Sequence, residues 1–247
     1  TMQKTYTETF TVRATDCDLH GRMRLDALFI AMQEGGERHA LSLGAGYAAM
    51  QDRGLFFALA RIHVSTLRAP RQGETVVHTT WPGEMNRFFC PRYHVFSLQD
   101  GTPLAAAGAL WVMLDTRQRR IVSPQKVDLG FPDNSDLPAP IDLPTRLPSL
   151  KSDAPRIFSR TPMYSDFDVN GHVNNTKYIA WLCDALGLEA FDGAYIGDLV
   201  AGYEKEIRAH DPLKLTLARE GDSFSFQIAS EAGEKHFVAG GMLRPEV

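Results

Sequence analysis

The chain has 247 residues, of which 44% are hydrophobic, and its formal net charge at pH 7 is −4. This length predicts one large domain or two small ones, with enough apolar material for a packed core. Charges of both signs are interspersed, and the one short basic run, "TRQRR" from Thr116 to Arg120, gives no reason to expect a nucleic-acid partner. Because no apolar run reaches ~18 residues and no signal-peptide pattern is present, we expect no membrane-spanning segment.

The three cysteines are Cys17, Cys90 and Cys183, an odd number at distant positions. This distribution argues against a disulfide framework and is typical of a reducing cytoplasm. Their spacing also lacks the pattern of a metal site. We therefore expect a cytoplasmic protein without structural disulfides.

Each half of the chain predicts one helix followed by consecutive strands. In the first half, a short strand (residues 8–14) and a helix (24–43) precede strand-like runs at residues 55–67, 74–81, 87–98 and 104–114. In the second half, a strand-like run (156–164) and a helix (175–187) precede runs at residues 198–209, 213–219, 223–230 and 235–243. The second helix carries an apolar stripe of Tyr178, Ile179, Leu182, Ala185 and Leu186. This order predicts an α+β fold in which each helix lies across an antiparallel sheet.

Residues 130–150 carry five prolines and almost no periodicity, which is typical of an extended connector. We therefore predict an N-terminal domain of residues 1–130, a linker of residues 131–155 and a C-terminal domain of residues 156–247. Three polar-loop residues recur 150 positions apart: Asp16, Asp18 and Gly21 recur as Asp166, Asp168 and Gly171. Together with the matching order of elements, this spacing indicates two copies of one fold.

A polar loop, "YSDFDVNGHVNN" from Tyr164 to Asn175, leads into the second helix. Alternation in an extended chain puts Asp166, Asp168, Asn170 and His172 on one side, and leaves Phe167, Val169, Gly171 and Val173 on the other, where the apolar ones would anchor the loop. The first N–H groups of the helix carry partial positive charge and could polarise a carbonyl oxygen. Simpler interpretations are that Asn174 caps the helix and that the two aspartates form turns. A metal site would need a second His or Cys at ligand spacing, so we expect no metal.

The string "SDFDVNGHVNNTKYIAWL" resembles the signature of the hotdog-fold acyl-acyl-carrier-protein thioesterases of plants and bacteria. The resemblance extends over nearly the whole chain, including "YEKEIRAHD" from Tyr203 to Asp211. It implies two tandem hotdog folds, each a central helix wrapped by an antiparallel sheet. The family's catalytic Glu, in a Tyr-x-x-Glu context, falls on Glu206. Many plant members have Cys at the next position, whereas Ile207 stands here and excludes a thiol nucleophile at that place.

The resemblance implies thioester hydrolysis without a cofactor. The family's Asp, Asn and His fall on Asp168, Asn170 and His172. We expect Glu206 to act as general base for water and His172 to assist proton transfer. Asn170 would orient the carbonyl or the water, and Asp168 would fix the loop. The Val173 N–H would stabilise the oxyanion. An alternative for Glu206 is a surface salt bridge with Arg208 on the same face of one strand.

The first copy lacks this acid–base set. It keeps Asp18 but has His20 and Arg22 where Asn170 and His172 stand, and aligning "TLRA" with "EIRA" puts Thr66 opposite Glu206. We therefore expect the first half to complete the scaffold and line an acyl tunnel. In the family, residues of this copy set the chain-length preference, for which Leu28 and Met32 are candidates.

An acidic acyl carrier protein would need positive groups near the tunnel mouth. The candidates are Lys177, Lys205, Arg208, Arg117, Arg119 and Arg120. We predict an acyl-carrier-protein hydrolase with that carrier as a transient partner, and leave a homodimer open. The alternatives are an acyl-coenzyme A thioesterase with the same site, a hotdog dehydratase or hydratase, and a non-enzymatic acyl-binding module.

Overall fold

The computed structural model describes residues 3–150, 154–208 and 212–246. The chain divides into two compact units, residues 1–144 and residues 145–247. Each unit contains one long helix and a set of antiparallel strands, as the order of the predicted elements indicated.

The first unit places a long helix on six antiparallel strands. Its elements are β1 (Tyr6–Thr11), α1 (Leu25–Ser42), α2 (Tyr47–Asp52), β2 (Leu55–Thr66), β3 (Thr75–Pro82), β4 (Cys90–Leu98), β5 (Pro103–Asp115) and the short β6 (Ile121–Val122). The strand order is β1-β3-β4-β5-β2, all neighbours are antiparallel, and β6 pairs with β5. Helix α1 packs on β3 and β1.

The second unit repeats this plan with a shorter helix. Its elements are β7 (Arg156–Arg160), α3 (Asn175–Leu186), β8 (Ala194–Tyr203), β9 (Leu213–Glu220), β10 (Ser223–Ser230) and β11 (Lys235–Pro245). The strand order is β8-β11-β10-β9-β7, again antiparallel throughout. Helix α3 packs on β9.

Helix α3 forms where its sequence pattern predicts. The Asn174 side chain accepts a hydrogen bond from the Thr176 N–H, which caps the first turn, and Gly187 ends the helix with a φ of 84°. All five residues of the predicted apolar stripe are at most 3% exposed. Burial of that stripe, rather than helix propensity alone, holds the helix on its sheet.

Helix α1 lies unusually close to its sheet. Gly35 and Gly36 are buried at mid-helix, where each glycine costs roughly 0.5–1 kcal/mol relative to Ala. A Cβ atom on Gly35 would lie 2.5 Å from His78 Cε1, and one on Gly36 would lie 3.3 Å from Arg92 Cδ. The glycines are therefore needed because polar side chains of β3 and β4 fill the space under the helix.

Those side chains form a buried hydrogen-bonded network. His78 Nε2 lies 3.0 Å from His94 Nδ1, and His78 Nδ1 lies 3.3 Å from Glu8 Oε1. Arg92 Nη1 donates to Thr80 Oγ1 at 3.2 Å and lies 3.4 Å from Nδ1 of the buried His39. Burial lowers the pKa of Arg92 to about 10 and that of His78 to about 4. We expect both histidines of the His78–His94 pair to be neutral near pH 7, because burial also lowers the pKa of His94.

The two polar loops share one hydrogen-bond frame. The Asp18 N–H donates to Arg22 O at 2.8 Å, and the Asp168 N–H donates to His172 O at 2.9 Å. Gly21 and Gly171 have φ values of 73° and 74°, which only glycine adopts readily. Both loops begin with a one-turn 3-10 helix, Ala14–Asp16 or Tyr164–Asp166, and both lead into a helix. The matched geometry supports the duplication inferred from the 150-residue spacing.

Several elements differ from the sequence-based predictions, and two of the differences are an additional helix and the end of β8. The sequence gives no helix at α2, whose single buried residue, Met50, provides no periodic signal. Strand β8 ends at Tyr203 and not at residue 209. Beyond Tyr203, the N–H groups of Glu204 and Lys205 both point to His236 O and the ladder with β11 stops. Glu206 and Arg208 therefore lie in the segment after β8, and the prediction that they share a face of one strand was wrong.

Part of the proline-rich segment packs on the first unit. Ile141 and Leu143 approach Gly108 on β5, His63 Nδ1 lies 2.9 Å from Asp142 O, and the buried Asn134 donates to Lys4 O and Pro82 O. These contacts give residues 134–143 fixed positions on the sheet.

Candidate active site

The polar loop of the second unit is a tight turn fixed by its own backbone. Phe167 and Val173 form an isolated antiparallel bridge, and Gly171 closes the turn by donating to Asp168 O. Asp168 Oδ1 accepts a hydrogen bond from the Asn170 N–H at 2.8 Å. The loop thus presents His172 just before the start of α3 in a position set by backbone hydrogen bonds.

Asp166 has a structural role. It is buried, and its Oδ2 accepts a hydrogen bond from the Met163 N–H at 2.7 Å. Its backbone carbonyl accepts from the Asn174 N–H at 2.8 Å. Of the two interpretations weighed for this residue, turn formation is the one that these contacts support.

The site centres on His172 and Glu206. His172 Nε2 lies 3.1 Å from Glu206 Oε2, and the two side chains are 18% and 34% exposed. The loop before α3 supplies the histidine, and the segment after β8 supplies the glutamate. A carboxylate in contact with an imidazole and open to solvent can remove a proton from water and pass it on. Arg208 Nη2 also lies 3.7 Å from Glu206 Oε2, so the salt bridge considered as an alternative is present as well.

The structure corrects the assignment of the oxyanion donor. The Val173 N–H donates to Ile207 O at 3.0 Å and is therefore already engaged. That bond joins the polar loop to the segment that carries Glu206, so an oxyanion could use this N–H only by breaking the connection. The Val173 N–H is not the donor we expected.

The apolar side of the loop is also only partly as predicted. Val173 is 3% exposed and anchors the loop, but Val169 is 92% exposed. The turn at Gly171 interrupts the alternation of an extended chain, so Val169 points to solvent. The prediction that Val169 anchors the loop was wrong.

The corresponding loop of the first unit holds an ion pair. Arg22, at the position of His172, is 1% exposed, and its Nε and Nη2 each lie 3.0 Å from Asp18 Oδ2. The bond from Met23 N–H to Pro70 O matches that from Val173 N–H to Ile207 O, which puts Ala69 opposite Glu206. Thr66, the last residue of β2, instead matches Tyr203, the last residue of β8. The alignment of Thr66 with Glu206 was therefore wrong, although Ala69 supplies no acid–base group either.

The remaining predicted residues occupy varied positions. Leu28 and Met32 are buried on α1, at 3% and 4% exposure. Lys177 lies in the first turn of α3, and Lys205 forms an ion pair with Glu234. Three lie in the first unit, in the turn between β5 and β6: Arg117, Arg119 and Arg120. The Arg119 guanidinium lies 4.9 Å from the centre of the Phe56 ring.

The described residues supply neither a metal site nor an activated thiol. Among them, no group of three or more His, Cys, Asp or Glu side chains is arranged to hold a metal ion. The three cysteines are free. Burial raises the pKa of the Cys17 thiol, and it raises the pKa of the Cys90 thiol to about 12. A raised pKa disfavours the reactive thiolate. Nor does any helix in the described ranges have the length and apolar character to cross a membrane.

The fold of each unit and the His172–Glu206 pair in the second define a class of protein, the tandem hotdog thioesterases. Residues 3–127 match the model of the acyl-ACP thioesterase N-terminal domain, and residues 151–240 match that of the C-terminal domain. The chain belongs to the acyl-ACP thioesterase family. This confirms the resemblance found in the sequence.

Relatives with known names support the same assignment. The chain is 27% identical over 238 residues to the acyl-[acyl-carrier-protein] hydrolase FATB3 of Cuphea viscosissima, covering 90% of this chain and 58% of that protein. It is 29% identical over 243 residues to the dodecanoyl-[acyl-carrier-protein] hydrolase of Cinnamomum camphora, covering 92% and 61%. Both relatives are named chloroplastic. The chain thus spans about three fifths of the length of the curated relatives it matches.

Solved structures confirm the predicted hotdog fold. An acyl-ACP thioesterase from Bacteroides thetaiotaomicron aligns with a TM-score of 0.88 at 23% identity, over 98% of each chain. The 12:0-ACP thioesterase from Umbellularia californica aligns with a TM-score of 0.86 at 25% identity, over 100% of this chain and 96% of that one.

Proposed function

We propose that this chain hydrolyses the thioester of a fatty acyl-acyl carrier protein and releases the free fatty acid. The observation that carries the proposal is the 3.1 Å contact between His172 Nε2 and Glu206 Oε2, in a loop and segment that match the family's motifs. A thioester is already activated, so the site must supply a water, take its proton and stabilise an oxyanion.

Glu206 is the general base. Its carboxylate takes a proton from water while the water oxygen bonds to the thioester carbonyl carbon. The C–S bond then breaks, and the leaving sulfur receives the proton that His172 passes on from Glu206. General acid–base groups of this kind contribute ~10²- to 10⁴-fold to the rate. Asn170 orients the water or the carbonyl, and Asp168 holds the loop through the Asn170 N–H.

The Asn175 N–H is our revised candidate for the oxyanion donor. At the start of α3, the Thr176 N–H is bound by Asn174 Oδ1 and the Lys177 N–H by Asn174 O. Among the described residues, none accepts a hydrogen bond from the Asn175 N–H. The first N–H groups of a helix suit a developing negative charge because the helix dipole is positive there.

Substrate choice divides between the two units in this proposal. The first unit lines the acyl tunnel, with Leu28 and Met32 setting chain length, and basic residues receive the acidic carrier. An apolar pocket discriminates one methylene by only ~1–3 kcal/mol, so changes at Met32 should shift chain-length preference gradually. We propose a cytoplasmic location on the basis of the three free cysteines.

The decisive experiment is a hydrolysis screen over acyl chain lengths on both carriers. We expect kcat/KM for the acyl-carrier-protein ester to exceed that for the coenzyme A ester of the same chain. Equal or better efficiency with coenzyme A would favour the acyl-coenzyme A thioesterase alternative. Turnover of enoyl substrates would indicate a hydratase, and binding without turnover would indicate an acyl-binding module.

A further inference from the structure

Two tyrosines link the first turn of α3 to the segment that carries Glu206. Tyr203 is the last residue of β8, three positions before Glu206, and its hydroxyl donates to Asn175 O at 3.0 Å. Asn175 in turn lies three positions after His172. The bond therefore fixes the end of β8, which leads to Glu206, relative to the start of α3, which follows His172.

The second tyrosine acts on the other side of Glu206. Tyr178 is 3% exposed on α3, and its hydroxyl interacts with the Ile207 backbone. The Ile207 carbonyl accepts a hydrogen bond from the Val173 N–H at 3.0 Å, so the residue after Glu206 is held by the polar loop and lies next to Tyr178. The Tyr178 and Tyr203 rings pack edge to face, with centroids 5.3 Å apart. We call these two residues the tyrosine clamp.

Both hydroxyls remain protonated under working conditions. Burial raises the pKa of Tyr203 well above its ordinary value, with Tyr178 as a second cause. Burial likewise raises the pKa of Tyr178, and the carboxylates of Glu206 and Asp168 raise it further. The clamp therefore adds no negative charge beside the base and keeps its donor hydrogens.

The first unit provides an internal comparison. Its polar loop has the same backbone frame, but Leu28 stands at the position of Tyr178 and Thr66 at that of Tyr203. The copy without a carboxylate at the Glu206 position also lacks both hydroxyl-bearing rings. The loop of the first unit forms the same backbone hydrogen bonds without the two tyrosines, so the loop does not need them. The tyrosines occur in the unit that carries the acid–base pair.

We propose that Tyr203 and Tyr178 are positioning residues that hold the Glu206 carboxylate against His172. Glu206 needs such support because it lies beyond the last β8–β11 pair, Tyr203 with Phe237, where the strand ladder no longer fixes the backbone. A displacement of a reacting group by about 1 Å costs on the order of 10² in rate. The inference rests on the proposed function, since the step it supports is removal of a proton from water by Glu206.

The test uses variants that remove one hydroxyl each: Tyr203→Phe and Tyr178→Phe. We expect kcat to fall about 10- to 100-fold while KM changes less than about 2-fold, because the acyl chain and the carrier make the same contacts. The matched control is Tyr195→Phe at the opposite end of β8, which should retain wild-type kcat. In a Glu206→Gln background, Tyr203→Phe should cause no further loss, because it acts through the missing carboxylate.

Two results would overturn the proposal. One is a Tyr203→Phe variant with a lower Tm but unchanged kcat at 25 °C, which would show a purely structural role. The other is a full further loss in the Glu206→Gln background, which would show that the tyrosine acts independently of Glu206.

A readout without turnover separates this inference from the proposed function. At a fixed pH, the NMR resonances of the His172 ring should move in the same direction in Tyr203→Phe as in Glu206→Gln, and stay in place in Tyr195→Phe. If the wild type hydrolyses no thioester but the resonances move this way, the proposed function fails and the clamp stands. Unmoved resonances in Tyr203→Phe refute the clamp whatever the substrate is.

Discussion

The Glu206 carboxylate faces two basic side chains, and the difference between them decides what this residue does. The Arg208 side chain is 68% exposed and its Nη2 lies 3.7 Å from Glu206 Oε2, so the pair contributes only ~0–1 kcal/mol to stability. His172 Nε2 lies 3.1 Å from the same oxygen, and an imidazole can serve as either proton donor or proton acceptor in catalysis. The contact with His172 therefore gives Glu206 its chemical role.

Removing either member of this pair should abolish most activity without unfolding the protein. We expect Glu206→Gln and His172→Ala each to lower kcat by ~10²- to 10⁴-fold, because each removes one end of the proton path. The exposed Glu204, two residues earlier, gives the control Glu204→Gln, which should retain wild-type kcat. Steady-state hydrolysis of acyl-carrier-protein esters measures this, and near-normal kcat in Glu206→Gln would disprove the assignment of the base.

The matching position of the first copy should respond in the opposite way. Arg22→Ala should lower the free energy of unfolding by on the order of 3 kcal/mol, because it leaves Asp18 without its buried partner. The kcat of the folded protein should stay close to wild type. Denaturant unfolding and hydrolysis of the same sample test both statements, and His172→Ala is the comparison that should lose activity with little loss of stability. An Arg22→Ala variant that keeps its stability but loses turnover would show that the first loop takes part in the chemistry.

At the scale of elements, local patterns in the sequence predict the two long helices, α1 and α3, and most strands, whereas the ends of some strands depend on long-range pairing. The apolar stripe of α3 and its Asn174 cap follow from residues a few positions apart. The end of β8 does not, since "YEKEIRA" alternates like a strand and stops pairing only because Glu204 and Lys205 converge on His236 of β11. Local patterns also fail to predict that the Val173 N–H is already hydrogen-bonded, because its acceptor, Ile207, lies in a distant segment of the chain.

The close approach of α1 to its sheet makes Gly35 hard to replace. Gly35→Ala adds a Cβ that would lie 2.5 Å from His78 Cε1 and 2.7 Å from Glu8 Oε1. We expect a loss of ~1–3 kcal/mol from overpacking, which exceeds the gain of up to ~1 kcal/mol in helix propensity. Gly36→Ala is the matched comparison, since its nearest contact is 3.3 Å from a flexible arginine stem, and it should cost less. A Gly35→Ala variant more stable than wild type, by thermal or denaturant unfolding, would contradict this packing.

The buried histidines of α1 and of the strands under it should make stability fall as the pH is lowered below about 6.5. Burial lowers the pKa of His78 to about 4 and also lowers those of His94 and His39, so these rings stay neutral when folded while the unfolded chain takes up protons. The stability that the neutral rings contribute is fully present above the histidine pKa of the unfolded chain, ~6.5. It is lost as the pH falls below that value, at up to ~1.4 kcal/mol per pH unit for each ring. The window from pH 6.5 to 4.5 isolates the histidines because unfolded carboxylates titrate mainly below it.

Denaturant unfolding at several pH values, comparing wild type with His78→Phe, checks this expectation. The variant removes one titrating ring, and the new Phe ring can still stack on Phe96. In the wild type, the centres of the His78 and Phe96 rings lie 4.4 Å apart. The charged neighbours of that ring, Glu8, Arg38 and Arg92, remain. Its stability should depend less steeply on pH between 6.5 and 4.5, whatever its absolute stability. Equal slopes would mean that His78 does not contribute.

At the scale of the whole molecule, a net charge of −4 requires any attraction to an acidic carrier to come from local basic groups. We expect kcat/KM for acyl-carrier-protein esters to fall as ionic strength rises while kcat changes little, because steering acts on association. Lys177→Glu should mimic high salt. Lys214→Glu, an exposed site on β9 with the same change in charge, should have a weaker effect. Equal effects of the two substitutions would indicate a general charge effect without a carrier-binding patch.

The two polar loops have the same backbone hydrogen bonds but carry different side chains, so the same loop conformation serves two different roles. One backbone path holds an Arg22–Asp18 pair in the first copy and presents His172 to Glu206 in the second. After a duplication, each copy can therefore diverge at a few side chains while its fold is inherited unchanged. An ancestor with two identical copies could lose chemistry from one of them, and gain a buried anchor there, through substitutions as small as those now seen at positions 22 and 69.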